Sequence, residues 1–241
     1  MEIYDAHVHI DLREEDRLYN YLEEICGGNI IANSQEELDA ILCHQNIFCT
    51  GKKLNLIVYW HDGFAEQSER WKKELGIKKI GVKLHPRIQN YVAADIEWII
   101  DGLERIDFDS IIIDAFDVGS RIENFISLQL ILELAKAYPN KKMIVAHAGG
   151  YRCLEYLLVL KDFKNIFYDI SFTVNYLKYS SVPMDIKNLL YARRDKVLFG
   201  TDFPEYGLEE TLNNFNRIVR DMENKEEIAQ LVLYENFNKN F

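Results

Sequence analysis

Cysteine is scarce in this chain: four residues, Cys26, Cys43, Cys49 and Cys153, with no CxxC pair among them. That excludes a disulfide framework and predicts reduced, mostly buried thiols in a cytoplasmic protein. Cys153 lies near a functional-looking stretch, but spacing alone does not make a thiol reactive. No apolar run approaches the ~18–20 residues of a membrane span. The strand-like DAHVHI follows Met1 too closely to leave room for a signal peptide. Positive charge is also short: 28 Lys and Arg stand against 39 Asp and Glu, a net charge of −11. An acidic chain repels phosphate backbones, so neither nucleic acid nor a membrane is an expected partner. No linker rich in Gly, Pro or Ser divides the chain, which predicts one domain over residues 1–241. The first strand-to-helix turn, VHIDL, has no glycine-rich phosphate loop, which argues against an open doubly wound nucleotide-binding sheet.

What is present is a rhythm. The 241 residues are 48% hydrophobic, and a (β/α)8 barrel takes about 250 residues as one domain. Eight short apolar, β-rich runs recur: EIYDAHVHI, NIIANS, LNLIVYWH, IKKIGVKLHP, SIIIDAF, KKMIVAHAG, NIFYDIS and KVLFGTDFP. Several are nearly continuous in Ile, Val and Leu, as strands buried on both faces are. Helix-like segments lie between them, at 13–24, 34–42, 92–106, 125–138 and 209–222. The segment 125–138 stops at Pro139, and 92–106 and 209–222 are amphipathic too. Ser34 with Glu37 reads as a capping box. Strand alternating with helix predicts parallel strands with helical crossovers. The fold class is α/β, a (β/α)8 TIM barrel. Apolar helix faces leave a homo-oligomer open.

In such a barrel the site lies at the C-terminal ends of the strands. Five of the six histidines fall there: His7, His9, His61, His85 and His147, with His44 the exception. Residues i and i+2 of a strand share a face, so His7 and His9 project together as a chelating pair for a divalent metal. Asp5 and Asp11 flank them. Asp202 in FGTDFP can ligate the metal and accept a proton from water. His147 in VAHAGG reads as a ligand or as a hydrogen-bond partner of that water. Lys83 and His85 share one face of strand 4 and are candidates for substrate binding or catalysis. Arg87, Gln89, Tyr91, Arg121, Tyr151, Arg152 and Tyr206 lie in the following loops, where an arginine could clamp an anionic small molecule.

The order DAHVHI, VKLHP, a helix ending AYP, MIVAHAGG, FYDIS, FGTDFP and ENFNKNF resembles the amidohydrolase-related group of the amidohydrolase superfamily, nearly end to end. The resemblance implies a barrel holding a divalent metal, usually zinc, on His7, His9 and Asp202, with His147 a ligand or the catalytic acid/base. One departure stands out. Such proteins usually carry a histidine ligand at the end of strand 5, and here Asp114 occupies that place. A carboxylate can replace the imidazole, shifting preference towards manganese, or the site is degenerate. Asp117 is a weaker candidate. In related phosphotriesterase-like proteins a strand-4 lysine is carboxylated and bridges two metals. Lys83 could do so, but pairing with substrate or with a carboxylate ranks higher. The expected activity is hydrolysis of an amide, ester or lactone of a small molecule. A non-oxidative decarboxylase and a metal-free barrel are the alternatives. A TatD-like deoxyribonuclease would carry glutamate where Lys83 stands, and a histidinol-phosphatase-like enzyme would have more histidines.

Overall fold

A computed structural model describes residues 2–14 and 16–241. Its eight strands follow the eight apolar runs: β1 (Tyr4–His9), β2 (Gly27–Ala32), β3 (Lys53–Tyr59), β4 (Ile80–Leu84), β5 (Ser110–Ile113), β6 (Lys142–Val145), β7 (Ile166–Asp169) and β8 (Val197–Leu198). Each pairs in parallel with the next, in sequence order. Residues beyond β8 close the ring. Ala6 donates its N–H to the Phe199 carbonyl at 2.8 Å, and His9 donates to Phe203 at 2.7 Å. Eight principal helices cover the outside: α1 (Arg17–Glu23), α2 (Gln35–Cys43), α3 (Phe64–Leu75), α4 (Ile96–Leu103), α5 (Ser127–Ala137), α6 (Cys153–Leu160), α7 (Val182–Arg193) and α8 (Leu208–Val219). The protein is a TIM barrel.

Two apolar layers hold it together. The outer layer joins strand residues such as Val8, Ile30, Val82 and Ile111 to helix residues such as Leu38, Phe64 and Leu134. The inner layer fills the barrel with Ala6, Ile31, Ile57, Ile112, Ile144, Phe167 and Leu198. A last helix, α9 (Asn236–Asn240), adds Phe237, which stacks on Tyr4 with ring centroids 5.1 Å apart, and Phe241 follows it. Burying each of the larger side chains contributes about 1.5–3 kcal/mol.

Because strand residues alternate faces, the next inward position above this layer is polar on several strands: Asp114 after Ile112, Asp169 after Phe167, Asp202 two steps after Leu198. Strand β1 reaches the same result through a β-bulge. Asp5 pairs with Gly28 but Val8 with Ile30, so β1 carries one residue more than β2. The extra residue reverses the alternation. Ala6 faces the inner layer and Val8 the outer one, so His7 and His9 turn inward at the barrel mouth. Gly28 makes room for the bulge, since a Cβ there would lie 1.9 Å from the Asp5 carbonyl oxygen.

The expectation of mostly buried thiols needs correction. Cys43 and Cys49 are exposed, Cys26 is intermediate and only Cys153 is buried. Cys43 ends the short helix α2 and Cys49 lies in the 3-10 turn after it, both on the outer surface of the barrel. Burial pushes the Cys153 thiol up to about 12, which makes it unreactive.

Candidate metal centre and pocket

His7, His9, Lys83, His85, Asp114, His147 and Asp202 all line one pocket of about 520 Å³ at the C-terminal mouth of the barrel. His61 does not. Its Nδ1 accepts from the Gly63 N–H at 3.1 Å, and its ring packs beside Tyr59. His44 lies outside the pocket, its Nδ1 3.1 Å from the Tyr19 hydroxyl. Of the loop residues named from sequence, Arg87 reaches the pocket. Gln89 instead braces the turn after β4, Arg121 bonds Asn90, and Arg152 pairs with Asp117 and Glu155.

The histidines are aimed by their outer nitrogens. His7 donates from Nδ1 to Asp169 Oδ2 at 2.7 Å, with both side chains almost wholly buried. His9 Nδ1 lies 3.1 Å from the Ile31 carbonyl oxygen. His147 Nδ1 lies 3.2 Å from the Ser171 carbonyl oxygen and 3.0 Å from its hydroxyl. Tying Nδ1 in this way turns Nε2 of each ring into the pocket, the arrangement of a metal-ligating histidine. Asp202 Oδ1 stands 3.5 Å from His7 Nε2 and 3.6 Å from His9 Nε2. His7, His147 and Asp202 each place a donor atom within 4.8 Å of the others.

The chain is bent sharply to make this arrangement. His147 has φ +57° and Asp202 φ +66°, both in the left-handed region, where His and Asp are tolerated better than bulky residues. Gly200 is required by close approach, because a Cβ there would meet Asp169 Oδ1 at 2.9 Å and the His7 Cβ at 3.3 Å. Phe172, just beyond β7, has φ +57° and ψ −55°, and the Thr173 N–H donates across it to the Ser171 carbonyl. This is a positive-φ γ-turn, and a phenylalanine held in it costs on the order of 1–3 kcal/mol. Asp5 latches β1 to the end of β8. Its carboxylate accepts from the N–H groups of His7 and Thr201, from the Thr201 hydroxyl and from Tyr21.

The electrostatics separate the two buried imidazoles. Burial, then the neighbouring Lys83 charge, lowers His7 to about 4, so it is neutral, as a ligand must be. Burial also opposes charge on His147. There the hydrogen bond to Asp114 (3.2 Å) and the carboxylates of Asp202, Asp114 and Asp169 prevail and raise it to about 9. Asp114 Oδ2 also lies 3.5 Å from His85 Nε2, and these imidazoles hold Asp114 well below the usual carboxylate range despite its burial. Burial lowers Lys83, whose Nζ donates to His7 Nε2 at 3.2 Å. Asp202, Asp169 and Glu37 are all held down by nearby cationic groups against the effect of burial. The carboxylates of Asp114, Asp169, Asp202 and Glu37 thus surround the Lys83 ammonium. A divalent metal fits that surplus of negative charge and the neutral nitrogen of His7.

His147 yields a pH prediction for the metal-free protein. Its folded pKa is above the ordinary value of about 6.5. The stability it contributes is therefore full below that value and lost as pH rises through about 9. Denaturant unfolding from pH 6 to 10 should show wild type losing more stability than His147→Gln over that window. A constant difference between the two would contradict the assignment.

Sequence reasoning passed over Asp169 and gave Glu37 only a capping role. Asp169 stood in the quoted FYDIS. Glu37 does cap in part, since its N–H donates to Ser34 Oγ at 3.2 Å. Its carboxylate, however, accepts from the Asn33 N–H and lies 3.6 Å from His9 Nδ1.

A model of the amidohydrolase family matches residues 51–236. That range includes β3 through β8 but not β1, so the roles of His7 and His9 rest on geometry. No curated protein matches the chain. Solved structures similar to it include a probable 2-pyrone-4,6-dicarboxylic acid hydrolase from Acinetobacter baumannii with citric acid bound. It shares 15% identity over 100% of this chain and 99% of that chain, with a TM-score of 0.66. Dihydroorotase from Campylobacter jejuni shares 16% identity over 99% and 82%, at 0.67. An amidohydrolase from Burkholderia multivorans with bound zinc shares 14% over 100% and 99%, at 0.66. At such identities the likeness shows the fold.

Proposed function

We propose that this chain, which belongs to the amidohydrolase family of hydrolase-type enzymes, is a metal-dependent hydrolase acting on an amide, ester or lactone of a small molecule. The observation that carries this reading is Asp202 Oδ1 standing between the Nε2 atoms of His7 and His9 at 3.5 and 3.6 Å. These three residues would hold the ion. Zinc is the favoured ion, supported by its presence in the Burkholderia fold neighbour, and manganese is the second choice. Bound there, a divalent ion supplies Lewis acidity and makes water more acidic.

The chain's own groups divide the proton work. Against the effect of burial, nearby positive charge, that of His147 foremost, holds Asp202 ionised, so its carboxylate accepts the proton that water loses. His147 is charged at neutral pH, which makes it the donor to the leaving group. Asp114 keeps that proton in place and aims the ring through Nε2; in this reading Asp114 is engaged by His147 and His85 and is not a ligand. His85 positions Asp114 from the other side. Lys83, fully enclosed, balances the carboxylates. Phe116 and Phe172 cover one side of the pocket and exclude water from it.

Turnover in water enriched in oxygen-18 tests the reading. The metal-loaded protein is screened against lactones, amides and esters. Hydrolysis places the label in the product carboxylate, and Asp202→Asn lowers kcat at least about 100-fold, as loss of a general base does. Release of carbon dioxide from a carboxylated substrate without label uptake overturns it in favour of decarboxylation.

A further inference from the structure

One wall of the pocket is aromatic. Phe116 follows β5, and Phe172 and Tyr176 follow β7; all three line the cavity. Phe116 meets Phe172 edge to face, with centroids 4.9 Å apart, and Phe172 stacks on Tyr176 at 4.8 Å. The Phe172 ring lies 5.7 Å from the ring of His147. Phe116 and Phe172 belong to neither apolar layer of the barrel, and Tyr176 is 58% exposed.

The backbone at Phe172 adds an independent observation. A glycine would adopt its positive-φ γ-turn readily, and a bulky side chain does not. The turn turns the Phe172 ring towards His147, Phe116 and Tyr176. A strained residue outside the core and at the rim of a site is kept for what its side chain does there.

We infer that Phe172 is a specificity-determining residue, and that the wall it forms with Phe116 and Tyr176 selects a substrate carrying a planar unsaturated ring. This rests on the hydrolase reading for the chemistry but not for the binding. A flat ring offers its edge and face to these rings at aromatic packing distance. A puckered saturated ring of the same size does not.

The test uses two probes of equal charge and similar size, benzoate and cyclohexanecarboxylate, titrated calorimetrically into the metal-loaded protein. The carboxylate is common to both probes, so the ratio of dissociation constants reports the wall. Wild type should prefer benzoate by about 5- to 10-fold, the scale of one or two aromatic pairs. Phe172→Leu keeps the apolar bulk and should bring the ratio close to 1. Phe172→Gly relieves the turn, so it guards against a folding failure of the leucine variant and should lose the preference too. No preference in wild type, no binding of either probe, or a preference retained in a folded variant overturns the inference. The hydrolase reading is judged separately, by metal content and label uptake, and can survive that failure.

Discussion

Asp169→Ala is expected to destabilise the metal-free protein by about 1–3 kcal/mol, the usual cost of leaving a buried hydrogen-bonding group unpaired. It is also expected to weaken divalent-metal binding by about 10- to 100-fold, the usual effect of losing a residue that orients a ligand. Both follow from one contact. Asp169 and His7 are buried together, Nδ1 to Oδ2 at 2.7 Å. Without the carboxylate the Nδ1–H of His7 is left unpaired. The other oxygen of Asp169 accepts from the Ser171 N–H, so the turn that carries Ser171 loosens as well. Asp169→Asn should lie between wild type and alanine, since the amide oxygen still accepts from Nδ1. Denaturant unfolding and a zinc titration of the three proteins give both quantities. An unchanged zinc affinity in Asp169→Ala would mean that His7 is not a ligand.

Lys83→Met is expected to have two effects of opposite sign. The buried ammonium lies 3.2 Å from His7 Nε2, and Asp114, Asp202, Asp169 and Glu37 favour its charge against the effect of burial. Removing it leaves those carboxylates under-compensated and should cost the metal-free protein about 3–5 kcal/mol. The same change removes a positive charge from beside the proposed ligands, so divalent-metal affinity should rise and zinc should restore most of the lost stability. If Lys83 were instead carboxylated and a ligand itself, the variant would bind metal more weakly, and the affinity of wild type would depend on dissolved carbon dioxide. The sign of the change in zinc affinity decides between these roles.

The barrel was legible because its signals are local. Runs such as SIIIDAF and NIFYDIS need only their own composition to read as strands buried on both faces. The pocket residues were legible because a barrel's strand ends converge, so His85, Asp114 and His147 could be placed together without knowing any distance. His61 shows the limit of that logic. It follows β3 in sequence, but the chain turns at Gly63 and ties the ring to its own loop. What escaped the sequence depends on contacts far apart in the chain. Asp169 meets His7 across 162 residues, and no spacing rule encodes that pairing. The bulge in β1 escaped for a different reason. The i, i+2 rule says that His7 and His9 share a face but not which face, and one extra residue opposite Gly28 decides it. For Asp114 the proposed role rests on contacts rather than on its place in the chain. Two imidazoles compete for its Oδ2, which makes it a partner of His147 in our reading.

The central claim is that the paired histidines of β1 hold a metal. Elemental mass spectrometry of the purified chain beside His7→Ala/His9→Ala tests it most directly. The account predicts about one zinc or manganese per wild-type chain, as for a mononuclear catalytic site, and none in the double variant. No metal in either protein, even after zinc and manganese are supplied, would contradict it.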